Sequence, residues 1–84
     1  MINVFFFASV REELDCDALE IPWPGDGLPL EALTEALCMD RGPVWRRVLT
    51  QVNLIVAVNQ AITDNDCVSR DGDEVAYFPP VTGG

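Results

Sequence analysis

Two strand-like runs near the start, a leucine stripe at helical spacing in the middle and two more strand-like runs near the end predict an α+β fold, a mixed sheet packed against helices. Ile2 to Phe7 (INVFFF) is β-branched and aromatic and reads as the first strand. Ser9 to Leu14 can form a short helical turn, with Ser9 as its cap and Glu12 three residues on in the capping-box position. Asp17 to Trp23 reads as a second strand, with Leu19, Ile21 and Trp23 alternating onto one face, and it pairs with the first as a hairpin. Pro22 has no N–H to give a ladder, so this strand belongs at an edge.

Pro24 to Gly27 is a loop. From Leu28 to Asp40, Leu30, Leu33 and Leu37 recur at helical spacing, and Gly42 stops the helix. Pro43 opens a short helix in which Trp45, Val48 and Leu49 share a face while Arg46 and Arg47 look outward. Asn53 to Asn59 (NLIVAVN) is a strand apolar on both faces, and Asn59-Gln60 favours a turn. Ser69 to Asp73 is turn-rich, Glu74 to Phe78 is the last strand, and Pro79-Pro80 ends it. The order strand, strand, helix, helix, strand, strand is that of the β-grasp, or ubiquitin-like, arrangement, with the first and last strands parallel neighbours at the centre. Its helices cover one face of the sheet. Phe5 to Phe7, Leu54 to Val58 and Val75 to Phe78 are nonetheless apolar on both sides. Either loops and the short helices cover the second face, or it is an exposed patch that docks a partner.

The chain of 84 residues is long enough for one domain, here a body over 1–78 and a tail over 79–84. Five Arg and no Lys stand against 14 Asp and Glu, a formal charge of −9. Nucleic acids and anionic membranes are bound through basic residues, so neither is an expected partner; proteins with basic pockets are. Met1-Ile2-Asn3 leads into an apolar run that has no basic residue before it and is too short for a signal peptide or a membrane span, so the expected location is the cytoplasm. The three cysteines, Cys16, Cys38 and Cys67, lie far apart, and histidine is absent. No metal site and no Ser–His or Cys–His nucleophile can be assembled from these parts, and no bound cofactor is expected.

The last eight residues, YFPPVTGG, carry the chemistry that the body lacks. Pro79-Pro80 fixes two φ angles and removes two donors, so the segment is stiff and cannot extend the sheet. Beyond it Val81, Thr82, Gly83 and Gly84 span roughly 13 Å at full extension. Glycine passes where a side chain would collide. A rigid base, a thin end and one terminal carboxylate suit insertion into a narrow channel of another protein. There ATP can activate the carboxylate as an acyl-adenylate for attack by a nitrogen or sulfur nucleophile.

Val4-Phe-Phe-Phe-Ala8 followed by Val10-Arg-Glu12, then Ala57-Val-Asn-Gln60, and above all Asp71-Gly-Asp-Glu-Val-Ala-Tyr-Phe-Pro-Pro-Val-Thr-Gly-Gly84 closely resemble the MoaD/ThiS family over nearly the whole chain. The weakest correspondence is at Cys16 to Gly27 and Cys38 to Arg47, and Leu28-Pro29 lacks the usual Ser, Thr or Asp helix cap. The resemblance implies a sulfur carrier acting as the small subunit of molybdopterin synthase. An E1-like adenylyltransferase consumes ATP to adenylate Gly84, and a persulfide protein supplies the sulfur that turns the adenylate into a thiocarboxylate. The tail, Pro80 to Gly84, then enters the large synthase subunit, where the sulfur attacks cyclic pyranopterin monophosphate. Two carriers and two large subunits form a heterotetramer, and two carriers are consumed for each two-sulfur dithiolene. The resemblance also favours Phe7, Ile62 and Phe78 as docking residues beside the tail, against their other reading as ordinary core. Asp71-Gly-Asp73 is most simply a tight turn. The rival readings are a carrier for thiazole synthesis or tRNA thiolation, a ubiquitin-like modifier joined through Gly84, and a β-grasp binding module for RNA, which the charge disfavours.

Overall fold

Alternation in the first strand already divides the molecule: Ile2, Val4 and Phe6 of β1 (Ile2–Phe6) are fully buried, whereas Asn3 and Phe5 are partly open. The computed structural model describes residues 1–23, 25, 27–63 and 68–79. Along the chain follow α1 (Ala8–Leu14), β2 (Ala18–Ile21), β3 (Leu28–Pro29), α2 (Leu30–Arg41), α3 (Pro43–Leu49), β4 (Ile55–Val58), β5 (Ala61–Thr63), β6 (Val68–Ser69) and β7 (Glu74–Phe78). Five strands form one sheet in the order β2-β1-β7-β4-β5, and β3 and β6 pair separately. β1 and β7 run parallel at its centre, with Val4 opposite Val75 and Phe6 opposite Tyr77. The other neighbours are antiparallel, and β2, with Pro22 just beyond its end, lies at one edge. This is the β-grasp arrangement that the element order predicts.

All three helices pack on the same face. Val10 and Leu14 of α1, Leu30, Leu33, Leu37 and Cys38 of α2, and Trp45, Val48 and Leu49 of α3 bury against Ile2, Val4, Phe6, Val56, Val75 and Tyr77. Each large apolar side chain taken fully from water contributes about 1.5–3 kcal/mol, so this layer carries the body's stability. Phe6 is its hub, meeting the edge of Trp45 at 5.2 Å and stacking near Tyr77 at 5.7 Å. Tyr77 keeps its hydroxyl satisfied by a 2.7 Å hydrogen bond with Thr34. Burial pushes that phenol up to about 12, so it stays neutral and structural at ordinary pH.

The structure corrects three local expectations. Ser9 does not cap α1. The helix begins at Ala8, with Phe7, two residues before Ser9, in the cap position and no side-chain cap bond. The Phe7 N–H is already held by the Tyr77 carbonyl at 3.1 Å, and Ala8 takes a left-handed φ of 52°, so the chain turns before Ser9 is reached. Leu28 and Pro29 are not helical. They form β3, with Leu28 opposite Ser69, and the Ser69 hydroxyl donates to the Leu28 carbonyl at 2.7 Å. Ser69 is therefore a strand residue rather than the start of the turn. Finally, Asn59-Gln60 is a two-residue hairpin turn with φ of 51° and 71°, and it leads into β5, a strand that the sequence reading left out.

The Asp71-Gly72-Asp73 turn ties three parts of the chain together. Gly72, at φ 88°, donates its N–H to the Met1 carbonyl at 2.8 Å, and Asp71 pairs with the amino terminus. Asp73 accepts from the Arg70 N–H at 2.8 Å and from the Asn59 side-chain amide at 3.0 Å. The turn sets the register of β7 between β1 and β4, and so the position of Phe78 and Pro79.

Candidate functional site

With the helices on one side, the residues of opposite parity are left on a bare face. Across the sheet the register aligns Phe5, Ala76, Ala57 and Ile62 on β1, β7, β4 and β5. A neighbouring row is formed by Phe78 opposite Ile55, with Phe7 stacked on Phe78 at 4.8 Å and nearly parallel. Large residues thus flank two adjacent alanines on the central strands. The result is an open trough of about 830 Å³ whose lining, among the described residues, is apolar except for Gln60 and Glu74. Small residues in the middle of a sheet leave a depression because the pleat holds all four positions at one height.

Phe7, Ile62 and Phe78 all line this trough, as does Pro79, the last residue before the tail. Phe7 is 40% and Ile62 79% exposed, and neither they nor Phe78 belong to the buried core cluster. Among the described residues no loop or short helix covers the second face, which is open. Pro80, Val81, Thr82, Gly83 and Gly84 lie outside the described residues. Sequence reading missed Ile55, Ala57, Gln60 and Glu74 as lining residues. Strand parity in 55–58 could have found Ile55 and Ala57, since they alternate with the buried Val56.

The remaining candidate chemistry is sparse. Cys16 is half-buried, with its thiol directed to the Ala18 carbonyl at 3.6 Å, and Cys67 lies outside the described residues. Cys38 is on the buried face of α2, and its burial raises its thiol pKa. Arg46 lies close enough to lower it, but burial outweighs that charge. Arg46 is itself engaged by Glu35 through two hydrogen bonds of 2.7 and 3.0 Å, and this bonding lowers the Glu35 carboxyl. Among the described residues no group of His, Cys, Asp and Glu is placed to hold a metal ion. Among the same residues no helix is long and apolar enough to cross a membrane.

The chain is 44% identical over 84 residues to the molybdopterin synthase sulfur carrier subunit of Escherichia coli, covering all of both chains. It is 40% identical, again over all of both chains, to the protein of the same name from Haemophilus influenzae. A chain in the solved complex of subunits 1 and 2 of molybdopterin-converting factor from Helicobacter pylori superposes with a TM-score of 0.66 at 24% identity, covering 99% of this chain and 97% of that one. The ThiS family model matches residues 4–84, and the chain therefore belongs to the ThiS family.

Proposed function

We propose that this protein is the sulfur carrier subunit of a molybdopterin synthase, with Gly84 as the group that bears the sulfur. The observation that carries the reading is the end-to-end similarity, Gly84 included, to two relatives of that name. An E1-like adenylyltransferase uses ATP to convert the Gly84 carboxylate to an acyl-adenylate. The outer sulfur of a protein persulfide then attacks the acyl-adenylate, expelling AMP and forming an acyl disulfide, and a thiol reductant cleaves the S–S bond, leaving the thiocarboxylate on Gly84 and a disulfide on the donor. The thiocarboxylate sulfur is a better nucleophile than a carboxylate oxygen and attacks cyclic pyranopterin monophosphate in the large subunit. The chain has no histidine and no lysine, so acid–base groups come from the partner, and the carrier is not catalytic alone. Its charge of −9 complements a basic site built for a phosphate-bearing pterin. Phe7, Ile62 and Phe78 bury against the large subunit, which assembles two plus two with the carrier in the cytoplasm, and Pro80 to Gly83 thread the tail into its channel.

Intact mass after co-expression with an activating enzyme and sulfur donor tests the reading. The expected product is heavier than the unmodified chain by the exchange of one oxygen for sulfur, and it converts the pterin precursor once the large subunit is added. An isopeptide adduct on other proteins, with no thiocarboxylate, would instead identify a modifier.

The thiols are not expected to carry the sulfur, since Cys38 is buried and its thiol raised. A Cys16→Ser, Cys38→Ala, Cys67→Ser variant should retain transfer at close to the wild-type level. Lost transfer in a variant that folds and binds its partner normally would place a thiol in the pathway.

A further inference from the structure

The trough has a chemical direction as well as a shape. One end is closed by the stacked Phe7 and Phe78 rings, and the other holds Glu74 and Gln60. Glu74 lies on the same strand face as Ala76 and Phe78. Its backbone is fully used, donating to the Asn59 side chain at 3.0 Å and accepting from the Asn59 N–H at 2.8 Å. Its carboxylate takes part in no ion pair or hydrogen bond among the described residues. Among the described residues it is also the only charged side chain in the lining.

A protein that covers an apolar floor must also cover this carboxylate. Removing an unpaired carboxylate from water is costly, whereas a cation beside it offsets the loss. Residues two apart on a strand are about 6.6–6.8 Å apart, a span matched by the aliphatic stem of Lys or Arg. We infer that the trough receives a basic side chain of the partner, its stem lying over Ala57 and Ala76 and its charged head on the Glu74 carboxylate. The two alanines are then specificity determinants, because any larger residue would fill the space that the stem occupies. Continuity supports the choice of occupant. Pro79 lines the same trough, so a protein that takes up the tail also covers this face.

The inference rests on the large subunit being the protein that docks here, and the test separates the two claims. Binding of the full-length carrier to the purified large subunit is measured across a salt series for wild type, Glu74→Gln and Ala76→Leu. Glu74→Gln is expected to weaken binding about tenfold at low salt and to flatten the salt dependence. Ala76→Leu is expected to weaken it by about tenfold or more, with little change in thermal unfolding because the trough is open. Wild-type affinity and salt slope for Glu74→Gln would overturn the inference. If Ala76→Leu still fails to bind in that case, the trough takes an apolar anchor and the proposed function stands. Absence of binding by the wild-type chain overturns both.

Discussion

A carrier that lacks Gly84 is expected to lose sulfur transfer completely while unfolding at the wild-type temperature. The body is held by the layer between sheet and helices, and glycine has no side chain to add to an apolar core, so stability has no reason to change. Chemistry has every reason to. Deletion moves the terminal carboxylate back by about 3.3–3.6 Å, and misplacement by about 1 Å can already cost about a hundredfold in rate. Adding one residue after Gly84 moves the carboxylate the other way and should be equally inactive. Gly83→Val should also fail, because a channel that closes around backbone has no room for a branched side chain. Intact mass reports whether the adenylate and thiocarboxylate form, and conversion of the pterin precursor reports transfer. Full product formation by the extended carrier would remove Gly84 from the mechanism.

Phe6→Ala and Phe78→Ala, two aromatic truncations one strand apart, are expected to fail in opposite ways. Phe6 is 1% exposed and sits between Trp45 and Tyr77, so its removal leaves a cavity that costs about 3–5 kcal/mol of folding stability. That is a large share of the roughly 5–15 kcal/mol that holds a small domain together, and the variant should be partly unfolded at physiological temperature. Phe78 faces the open trough, where the loss of its ring leaves no enclosed void. Phe78→Ala should cost less stability and weaken association with the large subunit by about 1–3 kcal/mol, as should Phe7→Ala and Ile62→Ala. Denaturant unfolding and partner affinity, measured on the same variants, check the contrast. If Phe78→Ala unfolds the protein as severely as Phe6→Ala does and association is not selectively weakened, the docking face lies elsewhere.

Much of this was legible along the chain because the signals are local. The period of two in Ile2 to Phe6, the spacing of Leu30, Leu33 and Leu37, and Trp45 with Val48 and Leu49 each report a buried stripe without reference to any distant residue. The failures were at places where a distant partner overrides local preference. Ser9 is a good cap residue, but the bond from Phe7 to Tyr77 starts the helix before it. Leu28-Pro29 continues a helical pattern, yet Ser69 draws it into a strand pair.

By itself the sequence determined the α+β class, the parallel placement of the first and last strands and the membership in the ThiS family, because periodicity, turn chemistry and motif are properties of contiguous residues. Whether the second face of the sheet was covered could not follow from the same information, since apolar residues on both sides of a strand are compatible with either outcome. The tertiary structure decided it by sending α1, α2 and α3 to one side. It alone also set Ala57 beside Ala76, with Phe5 and Ile62 as flanks, because that alignment depends on the register of four strands drawn from both ends of the chain.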